Sequence, residues 1–447
     1  MTEPMSKSDL LLKLLQKLDE PLARYSLCDS YYEGTQPLAY LSPESKTLLG
    51  NRFGRMASNL PRLAVTALAE RLRIIGFSDE KLWADWLRND MDQLSGVAHR
   101  EALLLGDSFV IVWADLAGRP SITIESAKQI AVLRDPGTRE IIAAVKRWET
   151  ETTTEAVLYL PNEITRYSAN HVGATLGFEV VNTVANPLGV VPIVDLRNSD
   201  RILDDYGASE IEDMMPLVDG LNKSLADMMV TSEFVGRPRR WATGIELEER
   251  PVIDSDGNPV MEDGQPVLEV INPIPEGNRA MIAEQPEAKF GQLAAADLGG
   301  YSESVNVLLG QVMAVSTLPA HYVGIFTDNP ASADALRASE ASLTARAEAR
   351  QQTFGRAWER VAKLVVAIRD GIDLAKVENI AVKWADAATR SVAQEADATV
   401  KLFQAGLLPR DYALKKIGFT DSEIAEIRAA TPETPQPAIA TDKAVTA

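Results

Sequence analysis

Between Leu336 and Ile368 the apolar positions Leu336, Leu343, Ala347, Phe354, Val361, Leu364 and Ile368 are separated by three, four or sums of these. That spacing predicts one helix of about 40 residues, roughly 60 Å long, with an apolar seam along one side. An extended loop, LPAHYVGIFTDNPAS, runs straight into it. Asn329 and Pro330 suit the N-cap and the first helical position, because Asn can accept from an orphan backbone N–H and Pro has no N–H to lose there. The other faces carry Arg337, Glu340, Arg346, Glu348, Arg350, Arg356, Glu359 and Arg360, so charges three and four apart can pair weakly along the helix. The alternative that periodicity leaves open is a long solvated helix that braces a single domain.

A second seam, Ile211, Met214, Val218, Leu221, Leu225 and Met228, steps by three and four after Ser209 and Glu212, an S-x-x-E capping box. Met215, Leu217 and Met229 lie off that seam, which predicts burial on more than one side, and Pro216 is a candidate kink. Residues from about 8 to 115 pattern as mainly helical, including one run from Trp83 to Leu105 that Gly106 ends. Short β-prone runs follow at Phe109 to Trp113, Ser121 to Ile124, Ile130 to Leu133, Ile141 to Trp148 and within Ala156 to Val194, separated by turn signals. From Val235 to about Phe290 Pro, Gly and acidic residues predict a small β insertion, and helix resumes from about Leu293 to Val315. A strand at Ile380 to Trp384, a helix from Val392 to Gln404 and a last helix with a Thr420/Glu423 capping box complete the pattern. The tail TPETPQPAIATDKAVTA is too rich in proline and polar residues to pack and is expected to be disordered. The fold class is α+β.

A chain of 447 residues exceeds a usual single core, and its 46% hydrophobic and 24% charged residues are ordinary globular usage. No apolar run approaches the roughly 18 residues that span a bilayer, so no membrane segment is expected. The N-terminal leucines are interrupted by Lys13 and Lys17, unlike an export signal. Cys28 is the single cysteine, which excludes an intrachain disulfide and fits a reducing compartment. The net charge of −19 opposes tight binding to nucleic acid but permits a surface past which DNA slides.

The chemistry of common enzymes is missing. There is no G-x-x-x-x-G-K-[ST] loop, no H-E-x-x-H or C-x-x-C spacing, and His99, His171 and His321 are scattered, so neither a metal nor another cofactor is expected. Asp254, Asp256 and Gly257 resemble a calcium loop only in part, since Gly falls at the fourth rather than the sixth position, and a plain turn is favoured. No G-x-S-x-G and no Cys with a His partner appears.

Several strings, in this order, resemble the portal proteins of tailed bacteriophages, specifically the siphophage-type family common among phages of actinobacteria. They include Tyr31-Tyr32-Glu33-Gly34, AHREALLLGDSFVIVW from Ala98, NPLGVVPIVDLRN from Asn186, and GASEIEDMMPLVDGLNKSLADMMVTSEFVGRPRRWATG from Gly207. LPAHYVG, DNPASADALRASEASL, QQTFGRAWERV and QEADATVKLFQAGLLP follow, so the match spans most of the chain. The resemblance implies a portal fold: residues 1–200 and 333–371 in a wing, 201–235 and 293–317 as stem helices, and 236–292 as a clip. It further implies a tunnel-loop region at 318–332, a C-terminal wing or crown at 372–430 and a tail at 431–447.

By the same resemblance the chain closes into a ring, usually of twelve, at one capsid vertex of the virion after assembly in the host cytoplasm. Double-stranded DNA passes through it, and the terminase large subunit, a head–tail adaptor and the major capsid or scaffold protein are partners. Ile325, Phe326, Thr327, Asp328 and Asn329 would face DNA; they offer no cation, so steric or polar contact is expected rather than phosphate clamping. The alternative for this loop is packing against a neighbouring subunit only. Arg237, Arg239, Arg240 and Trp241 form the densest cationic and aromatic cluster, at the junction of stem and clip. Arg binds phosphate or carboxylate bidentately, and the excess of acids favours ion pairing between subunits over DNA contact. The rivals to a structural, non-enzymatic portal are a phage scaffold or adaptor protein and a capsid-associated nuclease.

Overall fold

A buried polar pair marks the centre of the protein: the indole N–H of Trp358 donates to His99 Nε2 at 2.8 Å. His99 is fully buried, and burial holds its pKa down at about 3, so the ring is neutral with its proton on Nδ1. Phe354 stacks on it at 5.6 Å and Trp86 meets Trp358 edge-on at 5.1 Å. The structure, a computed structural model, describes residues 5–39, 57–236, 240–244, 249–254, 257–262, 264–270, 286–292, 298–325, 333–388, 392–419 and 421–430.

Among the described residues five helices and one strand come first: α1 (Lys7–Asp19), α2 (Leu22–Glu33), α3 (Leu60–Ala69), β1 (Ile74–Phe77), α4 (Lys81–Arg88) and α5 (Met91–Leu105). Ser6 caps α1 by accepting from the Asp9 N–H at 3.2 Å, and Leu11, Leu14, Leu15 and Leu18 form its buried stripe. The run expected as one helix from Trp83 to Leu105 is two, because Asp90 adopts a left-handed conformation with φ 54°. Gly106, at φ 97°, ends α5 as the sequence predicts.

Two antiparallel sheets follow. Strands β2 (Asp107–Ala114), β3 (Pro120–Ser126) and β9 (Ile193–Arg197) order as β3-β2-β9; β4 (Ile130–Arg134), β5 (Ile141–Glu149), β6 (Thr154–Tyr159), β7 (Glu163–Ala169) and β8 (Glu179–Ala185) form a meander. The leucines of α1 cover the meander, packing on Ala143, Val145, Leu158 and Tyr167. β1, a strand within the region expected to be mainly helical, pairs with Val382–Trp384 near the other end of the chain.

Helix α6 (Met215–Gly236) leads to the small β insertion, β10 (Arg240–Thr243) through β15 (Lys289–Gln292), and α7 (Gly299–Ser316) leads back. Within the insertion β10 pairs with β15, β11 (Glu249–Pro251) with β14 (Leu268–Val270), and β12 (Met261–Glu262) with β13 (Gln265–Pro266). The Asp254 segment is a plain turn: its carboxylate and carbonyl accept from the N–H groups of Asn258 and Gly257. Among the described residues no cluster of His, Cys, Asp or Glu is placed to hold a metal ion. None of the described helices is long and apolar enough to cross a membrane.

Helix α8 (Ala333–Asp370) is the predicted long helix, 38 residues described. Leu343, Ala347, Phe354, Val361 and Leu364 are buried as the seam requires, but Leu336 is 40% exposed. The proposed cap at Asn329 and Pro330 lies outside the described residues. β16 (Val382–Trp384), α9 (Val392–Gln404), α10 (Arg410–Ile417) and α11 (Asp421–Ala430) end the described chain. Thr420 of the last capping box and the tail lie outside it.

Three expectations are corrected. At Ser209 the hydroxyl accepts from the N–H of Ile211 at 3.4 Å, and the Glu212 carboxylate lies 3.7 Å from Arg24, so the reciprocal capping box does not form. A 3₁₀ turn, Glu212–Met214, precedes α6 instead. Pro216 therefore occupies the first turn of α6, where its missing N–H costs nothing and imposes no kink. The charges of α8 do not mainly pair along the helix: Arg356 and Glu359 pair within it at 2.9 Å and Arg369 and Asp370 at 2.8 Å, while Glu340, Arg346 and Arg350 reach other elements.

Candidate functional site

Helices α6 and α7 run antiparallel from the core to the β insertion. Thr231 donates to the Tyr301 hydroxyl at 3.3 Å near the insertion, while Gly220 faces Leu308 nearer the core. Burial decreases in the same direction: Val218 and Leu221 are buried, whereas Met229 is 45% exposed. An apolar pair of helices that leaves the core and ends in polar turns is a lever with a fixed root.

The root is held by polar contacts from the N-terminal helices. The Tyr31 hydroxyl donates to the Asp219 carboxylate at 2.8 Å, and Asn222, nearly fully buried, accepts from the Ser58 N–H at 2.9 Å. Ahead of α6 the backbone of Gly207 presses on that of Gly106, so that a Cβ on either would collide with the other's carbonyl. The Gly207 N–H donates to Asp107 at 2.7 Å. Burial pushes the Asp107 carboxyl up to about 6, against the bond from Gly207, with Asp195 raising it further and Arg197 and Arg134 opposing.

Helix α8 joins this root through two ionic groups. Arg350 pairs with Glu210 at 2.9 Å and with Asp200 at 2.6 Å, and holds the Asp200 carboxyl below the usual carboxylate range. One turn earlier Arg346 reaches Glu210 at 3.5 Å and donates to the Ser316 carbonyl at 3.3 Å. Nearer its start, Glu340 lies 3.1 Å from Arg71 and 3.3 Å from His321. None of these partners was legible in spacing, because they lie far apart along the chain; helical i,i+4 logic offered Glu340 and Arg350 only weak pairing along the helix, yet both are buried.

The residues singled out from sequence are only partly placed. Ile325 is half-buried, and its N–H donates to the Ala320 carbonyl at 3.1 Å at the end of a 3₁₀ turn, Ala320–Val323. Phe326, Thr327, Asp328 and Asn329, with Arg237 and Arg239, lie outside the described residues. Arg240 pairs in strand register with Gln292, and Trp241 with Gly291, over which its ring lies so closely that a Cβ there would strike it. Trp241 is 42% exposed, an aromatic surface where α6 enters the insertion.

A family model described as "Phage portal protein, SPP1 Gp6-like" matches residues 12–436. The portal protein of Mycobacterium phage D29 is 31% identical over 400 residues, covering 82% of this chain and 77% of the relative. That of Mycobacterium phage L5 is 32% identical over 394 residues with the same coverage. Two solved structures are distant likenesses at 15% identity. One is the neck of a native gene transfer agent particle computed with C12 symmetry (TM-score 0.47, 89% of this chain and 99% of that one). The other is the neck of an empty such particle computed with C6 symmetry (TM-score 0.48, 87% and 96%). With the family model spanning nearly the whole chain and two mycobacteriophage portals aligned over most of it, the chain belongs to the phage portal protein family, structural and non-enzymatic proteins of the capsid vertex.

Proposed function

We propose that copies of this chain close into a ring, of twelve subunits, that carries double-stranded DNA into the capsid during packaging and out during ejection. The observation that carries this reading is the antiparallel pair α6 and α7, which leaves a large mixed core and returns to it around one small β insertion. In a ring, that pair is the stem, the insertion (236–292) is the clip, and the remaining core forms the wing. The clip docks the terminase large subunit and later the head–tail adaptor, and the wing meets the capsid or scaffold protein. Cytoplasmic assembly precedes incorporation into the virion.

The segment 318–332 is the tunnel-loop region. Ile325, Phe326, Thr327, Asp328 and Asn329 bring no cation to DNA, and a net charge of −19 per chain disfavours neutralising many phosphates at once. Contact is therefore steric or polar, and DNA moves without being held. Deleting Ile325 to Asn329 leaves rings intact and lowers the yield of DNA-filled capsids; unchanged filling contradicts the role of the loop.

Arg237, Arg239, Arg240 and Trp241 belong to the subunit interface at the base of the clip. The acid-rich composition supplies carboxylate partners for the guanidinium groups, and the exposed face of Trp241 supplies apolar area beside them.

A further inference from the structure

Residues Val315 to Tyr322 form the corner at which the chain leaves α7 and heads toward the presumed tunnel loop. At this corner Thr317 has φ 59° and ψ 19°, a left-handed conformation that a β-branched residue avoids. Such a conformation persists only where its surroundings impose it. Two side chains of α8 do so. Arg346 donates to the carbonyls of Val315 and Ser316, the last two residues of α7, at 3.4 and 3.3 Å. These are carbonyls left without helical partners, and a cation there also complements the helix dipole. Glu340, less than two turns away, meets His321 at 3.3 Å on the far side of the corner.

Both clamps are anchored outside α8. Arg346 is joined to Glu210, ahead of α6, and Glu340 to Arg71, which follows α3. Arg71 in turn donates to the Tyr322 hydroxyl at 3.2 Å and to the Ala387 carbonyl at 2.7 Å. Its own carbonyl accepts from Gln351 of α8 at 3.0 Å. Between the clamps Leu318 and Pro319 are buried. Immediately beyond lies Gly324, at φ 80°, and across it the Ile325 N–H donates back to the Ala320 carbonyl at 3.1 Å, so the described end of the segment is still tied to the corner.

We propose that Glu340 and Arg346 are positioning residues that hold the strained corner Val315 to Tyr322 on α8 and so fix the point from which the chain leaves the stem toward the tunnel-loop region. This rests on reading 318–332 as the tunnel-loop region.

Hydrogen exchange on the purified full-length protein tests the clamp without DNA. The amides to follow are those of Tyr322 and Ile325, bonded to Pro319 and Ala320 at 3.0 and 3.1 Å. In Arg346→Gln and Glu340→Gln they exchange about tenfold faster, the loss expected for one charged hydrogen bond, while amides of α6 and α5 are unchanged. Arg346→Lys restores part of the protection. Because removing Glu340 alone leaves the Arg71 charge buried, the pair Arg71→Met/Glu340→Leu serves as a second variant that removes both charges and still deletes the partner of His321. Unchanged exchange at Tyr322 and Ile325 in these variants overturns the clamp, as does acceleration spread evenly over the whole chain. Local acceleration combined with normal filling of capsids by Glu340→Gln supports the clamp and shows that the tunnel-loop reading is the part that fails.

Discussion

Glu210 and Arg350 are 140 residues apart in sequence, and their side chains meet at 2.9 Å in the interior. Both side chains are less than a tenth exposed, so removing one leaves the other charged and desolvated. Arg350→Met is expected to cost about 3–5 kcal/mol in chemical denaturation. Glu210→Leu/Arg350→Met together should cost clearly less than the sum of the single changes, which a double-mutant cycle measures.

The contact of Gly106 with Gly207 predicts that neither tolerates a side chain. A Cβ at either position meets backbone, which cannot rotate away, and Gly106 also has φ 97°. Gly106→Ala and Gly207→Ala are each expected to destabilise by about 3 kcal/mol or more, read as a lowered melting temperature. Gly118→Ala, also at positive φ but in open space, should cost only about 1 kcal/mol.

Asp107 makes stability depend on pH. Its folded-state value, about 6, lies above that of an unfolded aspartate, so the folded protein keeps the proton longer. The stabilising contribution is complete below about pH 4 and is lost as pH rises through 6. Asp107→Asn keeps an acceptor for the Gly207 N–H but cannot ionise. Its stability relative to the wild type should improve by on the order of 2–3 kcal/mol between pH 4 and pH 8, measured by denaturation at both.

The proposed intersubunit pairing at the clip predicts salt sensitivity. Changing Arg237, Arg239 and Arg240 together to Ala should give rings that dissociate at lower ionic strength than the wild type, because fewer ion pairs remain to be screened. Sedimentation across a salt series reads this directly, and unaltered salt resistance argues against the pairing.

Sequence periodicity carried the secondary structure well where one face of an element is buried. The α8 seam and the helix from Val392 to Gln404 are examples, and turn signals bounded the strands of the meander. It failed where a local rule competes with a distant partner. β1 has four residues including Gly76, and it is a strand because Val382–Trp384 pairs with it. Ser209 and Glu212 satisfy a capping pattern, but Arg24 and the backbone packing at Gly207 set the geometry there. The most consequential omissions, Arg71, Glu210 and the inward roles of Glu340 and Arg346, carry no local signature; tertiary contact alone distinguishes them from solvated charges. The family, by contrast, was legible in the order of several strings, of which Tyr31 proves to tie α2 to the root of α6.

The central claim is best tested by imaging capsid-derived protein and weighing the released oligomer by native mass measurement. An annular assembly of twelve copies around an open passage, located at the tail vertex, is the predicted result. Monomers, filled particles, or a tail vertex that lacks a ring of this chain would contradict the account.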